Sequence, residues 1–263
     1  MPTSLANREI AFVQAILSAG IVYTVTRNCS LGQMDGCKCL AKKTKREDTA
    51  KTGFLWGGCS DNTDFGSKIA ITYLDNRELG QFDSNAKIRL HNYEVGRQAV
   101  KETMIKICKC HGVSGSCSLQ TCWMRINTFE EVGDYLKRAY RKAVKIDPIL
   151  ERVREKDMMK KSAQHIQKMS LIYAEDSPDY CIANATLGSN GTLGRYCSQR
   201  RTRGASKEEK RSCRKLCTQC GHKVRRERRR VITSCNCKFK YCCEVECQSC
   251  AKEQYSFVCS RHH

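Results

Sequence analysis

Apolar residues dominate from Ile10 to Val25, where Ile10, Val13, Ile16 and Leu17 fall on a helical stripe. Arg8-Glu9 precedes the run and polar residues interrupt it. It therefore predicts an amphipathic helix running into a strand or loop, not a signal or membrane segment. A second helical pattern runs from Ser84 to Cys108, with Ile88, His91, Val95, Ala99 and Met104 near one face. His91 reads as a buried, hydrogen-bonded helix residue rather than a metal ligand. Thr128-Phe129-Glu130-Glu131 spells a capping box, and Phe129, Val132, Leu136, Tyr140 and Ala143 supply the apolar stripe behind it. Glu130 and Glu131 are then first-turn residues favoured by the helix dipole, not a catalytic carboxylate pair. The charged stretch from Lys145 to Lys168 predicts a partly helical, exposed segment.

The period changes towards the C-terminus. Val231, Thr233, Cys235, Cys237, Phe239, Tyr241, Cys243, Val245 and Cys247 share one parity, while Ser234, Asn236, Lys238, Lys240, Glu244 and Glu246 share the other. This is strand alternation, with a reversal near Cys242. Folding there sets Phe239 opposite Val245, Cys237 opposite Cys247, and Cys235 near Cys250. The tip presents Cys242-Cys243 flanked by Phe239 and Tyr241. These apolar side chains either form a contact site or pack back onto the domain. The patterns predict a mixed α+β, disulfide-rich protein. A helical N-terminal domain (1–172) carries a stapled hairpin, a linker spans 173–180, and a cysteine-rich β-hairpin domain spans 181–263.

Twenty cysteines in 263 residues sharpen this picture. The even count allows complete pairing, which places the chain in an oxidising, secretory compartment. Twelve of them lie between Cys181 and Cys259, where large apolar residues are few. Bridges worth ~2–4 kcal/mol each must hold that part together. Asn28-Cys29-Ser30, Asn184-Ala185-Thr186 and Asn190-Gly191-Thr192 are glycosylation triplets that fit the same compartment. A net charge of +20 calls for a polyanionic partner, and for a secreted chain sulfated glycosaminoglycan suits better than nucleic acid. The run Lys223, Arg225, Arg226, Arg228, Arg229, Arg230 is the densest basic site. It is either that contact or a solvated face.

The candidate chemistry centres on Cys108-Lys109-Cys110-His111-Gly112-Val113-Ser114-Gly115-Ser116-Cys117, followed by Cys122-Trp123. If Cys110 pairs with Cys117 and Cys108 with Cys122, nested bridges close a hairpin with Ser114 at its tip. Gly112 and Gly115 free the backbone there. A hydroxyl held out in this way suits modification by an enzyme. It does not suit a hydrolase nucleophile, because the elbow pattern needs glycine where Ser116 stands and no apolar strand precedes it. Cys217-x-x-Cys220-Gly221-His222 and Cys235-x-Cys237 could ligate zinc, but the spacings do not repeat and several cysteines are adjacent or nearly so. Six histidines with no recognisable partner pattern argue against an enzyme.

The Ser114 run closely resembles the signature of the Wnt family of secreted signalling proteins. Arg8-Glu9-Ile10-Ala11-Phe12, Trp56-Gly57-Gly58-Cys59-Ser60-Asp61-Asn62 and Leu90-His91-Asn92-Tyr93-Glu94-Val95-Gly96-Arg97 carry the resemblance along the chain. Tyr93 and Val95 stand where a second Asn and an Ala are usual. Trp56 is read as core packing. The run around Asn28, with Glu175-Asp176-Ser177-Pro178-Asp179-Tyr180-Cys181, looks most like the subgroup numbered eight. The resemblance implies a signal peptide and further residues ahead of this chain. It implies pairs Cys29–Cys37, Cys39–Cys59, Cys181–Cys220, Cys197–Cys213, Cys217–Cys259 and Cys242–Cys243. It also implies palmitoleate on Ser114, attached by Porcupine, with Wntless as carrier during export. The acyl chain beside Val113 would enter the Frizzled cysteine-rich domain. The Phe239–Val245 finger, with Tyr241 in place of the usual Trp, would be the second receptor contact. An LDL-receptor-related co-receptor and heparan sulfate proteoglycans complete the expected partners. The expected place of action is the extracellular space and matrix, and the expected output is β-catenin signalling without catalysis.

Overall fold

The computed structural model describes residues 6–40, 54–78, 80, 84–146, 169–199 and 209–261. Most of the charged stretch after Lys145, residues 147–168, lies outside them. The chain divides into two compact units, Met1–Ser177 and Pro178–His263. The break falls within 173–180, but the first unit reaches further than expected. Tyr173 belongs to a strand, and the amides of Ala174 and Glu175 donate to the Ala6 carbonyl at 2.8 and 3.0 Å.

The first unit is built on α1 (Arg8–Ser30), whose N-cap Asn7 accepts from the Ile10 amide at 2.9 Å. It is a single helix to Ser30, with no strand or loop after Val25. Its apolar window has a mean hydropathy of 1.5, enough by composition to cross a membrane, yet it is the helix the unit packs around. The buried face is Ala11, Ala15, Ser18, Ala19, Val22 and Thr26, while Val13 and Leu17 are half exposed at 51% and 50%. Of the expected stripe, Val13 and Leu17 thus stand off the core, while Ile16 packs against it half-buried. Close approach selected the small residues: a Cβ on Gly96 would lie 2.1 Å from the Ala15 carbonyl oxygen. Only glycine lets the neighbouring backbone come so near.

After β1 (Leu55–Trp56) come α2 (Thr63–Leu74) and α3 (Ser84–Glu102). Val95, Ala99 and Val100 of α3 join Val22 and Ala70 in the core, with Val132, Leu136 and Leu171. Buried Asn92 works as a clamp. Its Nδ2 donates to Gln14 Oε1 and to the Ile172 carbonyl, and its Oδ1 accepts from the Ile172 amide, each at 3.0 Å. Arg97, also buried, donates to both carboxylate oxygens of Asp75 at 2.9 and 3.1 Å and to Glu94 at 2.8 Å, tying the turn after α2 to α3. Tyr93 is buried beside this cluster, and burial pushes its phenol above the ordinary 10.0. His91 is half-buried, with Nε2 2.8 Å from the Ser170 carbonyl.

The helical pattern expected up to Cys108 stops at Glu102. From Ile105 the chain is strand: β2 (Ile105–Cys110) pairs antiparallel with β3 (Gln120–Arg125), and β1 runs parallel to β3 on its other side. Trp56 is half-buried against Phe54, with ring centroids 5.2 Å apart. Then follows α4 (Phe129–Arg141), capped by Thr128, with Val132 and Leu136 buried as its stripe requires. Short β4 (Val144–Lys145) and β5 (Ile172–Tyr173) pair in parallel.

The second unit has β6 (Ala183–Asn184) paired with β7 (Ser189–Asn190), a short α5 (Ser212–Leu216), and a three-stranded sheet. In that sheet β8 (Tyr196–Cys197) and β9 (Lys223–Lys240) flank β10 (Glu244–Ser260). Its buried centre is Cys213, Cys217, Val258 and Cys259. Bridges Cys181–Cys220, Cys197–Cys213 and Cys217–Cys259 meet there, with the sulfurs of Cys197 and Cys217 3.6 Å apart. Half-cystines take the place that large aliphatic side chains hold in the first unit.

Candidate functional site

The Ser114 loop closes the β2–β3 ladder. Cys108 and Cys122 face each other directly in the register and are bridged, with Cα atoms 4.1 Å apart. Cys110–Cys117 closes a tighter ring beyond them. Within it the Gly115 amide donates to the Gly112 carbonyl at 2.9 Å, and the Ser116 amide to the Val113 carbonyl at 3.1 Å. These successive turns hold Ser114 in the left-handed region, at φ 56 and ψ 27. A serine rarely adopts that conformation unless its surroundings impose it. Gly112 is required for a different reason. A Cβ there would meet Ser116 Oγ at 2.1 Å, Ser118 Oγ at 2.4 Å and the Ser116 carbonyl at 2.5 Å. Ser114 is exposed, its hydroxyl has no hydrogen bond among the described residues, and Val113 beside it is 90% exposed. Among the described residues no base is hydrogen-bonded to it, so the loop presents an acceptor, not an activated nucleophile.

The finger is longer than its cysteine pattern suggested. β9 and β10 pair from Lys223↔Ser260 to Lys240↔Glu244, with a bulge between Glu246 and Gln248. Phe239 stands opposite Val245, and bridges join Cys235 to Cys250 and Cys237 to Cys247. The tip is Tyr241-Cys242-Cys243. Tyr241 is 100% exposed, Phe239 71% and Val245 61%, so these side chains do not pack back onto the domain. The expected Cys242–Cys243 bridge is not formed. Both thiols are exposed, with sulfurs 3.5 Å apart. Neighbouring residues place their Cα atoms nearer than a disulfide prefers, which disfavours closing so small a ring. The N-terminal pairs Cys29–Cys37 and Cys39–Cys59 are present.

The basic run occupies the base of β9, a strand that run-of-charge reading could not reveal. Its arginines are partly engaged. Arg228 pairs with Glu253 and Arg225 with Glu227. Arg226 stacks 3.5 Å from the Tyr255 ring centroid and Arg229 5.7 Å from that of Tyr196. Of the glycosylation triplets, Asn184 and Asn190 are exposed on β6 and β7, and Asn184 Oδ1 accepts from the Thr186 amide at 3.0 Å. Asn28 is half-buried in the last turn of α1, beside the Cys29–Cys37 bridge. No group of three or more His, Cys, Asp or Glu arranged to hold a metal occurs among the described residues.

Comparison with known proteins agrees with this architecture. The family model described as the wnt family matches residues 2–260. Protein Wnt-8b of Danio rerio is 48% identical over 257 residues, covering 97% of this chain and 71% of that protein. Protein Wnt-8c of Gallus gallus is 47% identical over 262 residues, covering 97% and 72%. A solved structure of human WLS in complex with WNT8A aligns with a TM-score of 0.68 at 42% identity, covering 97% of this chain and 79% of that one. With the bridged serine loop, the cysteine-held finger and a match over nearly its whole length, the chain belongs to the Wnt family, whose members are signalling ligands and not enzymes.

Proposed function

We propose that this chain is a secreted, lipid-modified ligand that engages Frizzled receptors by two separate prongs. The first is palmitoleate esterified to Ser114, with Val113 beside it. The observation that carries this reading is the free Ser114 hydroxyl, held in left-handed backbone at the tip of a doubly bridged hairpin. Burial of the acyl methylenes in an apolar groove of the Frizzled cysteine-rich domain, at ~0.8 kcal/mol each, gives on the order of 10 kcal/mol before ordering costs. The second prong is the finger tip, where Phe239, Tyr241 and Val245, with Cys242 and Cys243, offer a protruding apolar surface. Porcupine would attach the acyl chain and Wntless would shield it during export. The second role is supported by the similar WNT8A, whose structure was solved with WLS. An LDL-receptor-related co-receptor would complete the β-catenin signalling assembly. Heparan sulfate would hold the ligand in the extracellular matrix through β9, and Asn28, Asn184 and Asn190 would carry glycans.

Mass spectrometry of the secreted protein, mapping the unreduced peptide that contains Ser114, tests the reading directly. An acyl adduct on Ser114 is the expected outcome. Ser114→Ala should lose the adduct and bind the Frizzled cysteine-rich domain on the order of a hundredfold more weakly. An unmodified Ser114 in a chain that binds at full strength would remove the lipid prong.

A further inference from the structure

A cavity of about 360 Å³ lies in the first unit, away from the Ser114 tip, where the end of α1 meets the open end of the β2–β3 ladder. Two periodicities build it. On α1, Tyr23, Arg27 and Ser30 follow at helical spacing and share one face, with the C-cap Leu31 beside them. On the ladder, Ile105 stands opposite Arg125, and Ile107 lies two residues on, so all three project from one face. Ile126 closes the wall. The walls are fixed by contacts that owe nothing to an occupant. Tyr23 packs on Phe129 with centroids 5.1 Å apart, and the Ile126 amide donates to Asp61 Oδ2 at 2.8 Å.

The charges are uneven. Asp61 is buried, and its other oxygen accepts from Ser30 Oγ at 2.6 Å, so both oxygens are engaged from within the protein. Arg27 and Arg125 also line the cavity, and neither guanidinium has a hydrogen bond or an ion pair among the described residues. Two guanidiniums with no partner among the described residues thus share the lining with Ile105, which is 39% exposed. An apolar concavity of this size with a few convergent polar groups has the character of a small-molecule site. A guanidinium pair favours an anionic head, a carboxylate among them.

We propose that this cavity binds a small amphipathic carboxylate, its head between Arg27 and Arg125 and its apolar body against Ile105, Ile107, Ile126 and Leu31. The site is independent of the Ser114 acyl chain. Its natural occupant would be a free acid of medium length. A partner's acidic peptide would need an extended groove rather than a single pocket.

The test is photo-crosslinking of the secreted protein with a diazirine-bearing decanoate, with adducts mapped by mass spectrometry. Saturable labelling of the peptides containing residues 105–107 and 125–128 is expected. Decanoate should compete about tenfold better than decan-1-ol, the scale of two solvent-facing ion pairs. Arg27→Gln combined with Arg125→Gln should level that preference. Should the double variant not be secreted, high salt on the unaltered protein should level it in the same way. Labelling confined to the Ser114 loop or the finger overturns the proposal. So does equal competition by the alcohol, or a preference that survives both the substitutions and the salt.

Discussion

Single residues divide here into those that shape a surface and those that only present themselves on it. Gly112 shapes. Gly112→Ala would push a Cβ into the Ser116 carbonyl and the hydroxyls of Ser116 and Ser118. The loop is exposed and doubly bridged, so the midpoint of thermal unfolding should move little. Acyl occupancy of Ser114, read by mass spectrometry, should fall several-fold as the left-handed tip is displaced. Tyr241 only presents. Fully exposed, it contributes nothing to packing, and Tyr241→Ala should leave stability within about 0.5 kcal/mol. Its loss should weaken binding to the Frizzled cysteine-rich domain by about tenfold in surface plasmon resonance, as expected for an aromatic anchor. A stability change larger than the binding change would place Tyr241 in the fold instead.

At the scale of elements, the pairing of α1 with α3 decides the first unit. Gly96→Val should destabilise by about 3 kcal/mol or more in urea unfolding, because the Ala15 backbone cannot retreat without opening the core. Leu17→Ser should cost about 1 kcal/mol at most, although leucine is the more hydrophobic residue, because Leu17 is half in water. The same contrast shows how far the helix was legible. Periodicity located α1 and α4 and the stripe of α4, where Phe129, Val132 and Leu136 lie as expected. On α1 it placed Ile16 against the core but Val13 and Leu17 on a half-exposed face. A scan for hydrophobicity favours Val13 and Leu17, whereas packing favoured the alanines that a glycine on the partner helix could touch. The end of α3 was missed for a related reason. Ile105 and Ile107 extend a helical pattern as readily as they begin a strand, and only the partner residues Arg125 and Trp123 decide between the two.

The two units draw on different sources of stability. The first has a cluster of aliphatic side chains, and the second has half-cystines at its centre. Graded reduction should therefore open the second unit first. Limited proteolysis under rising thiol concentration should cut between Pro178 and His263 while the helices of the first unit stay protected. Cleavage of the helical unit first would show that its bridges, and not its core, hold it.

What the sequence determined by itself was chemistry carried by covalent spacing: the oxidising compartment, the serine loop between close cysteines, the alternation about Cys242 and the family these motifs resemble. These are local, since cysteines a few residues apart and a period of two survive without knowledge of distant partners. The tertiary structure decided what depends on distant partners. It turned the basic run into a strand by pairing Arg226 with Phe257 and Arg228 with Tyr255. It buried the small face of α1, left the Cys242 and Cys243 sulfurs unjoined, and gathered Arg27, Arg125 and three isoleucines around one cavity. Arg27 and Arg125 are ninety-eight positions apart, and no period or motif links them. Only the crossing of a helix end over a ladder end brings them to the same space, and that crossing was set by the close packing of α1 and the register of β2 on β3.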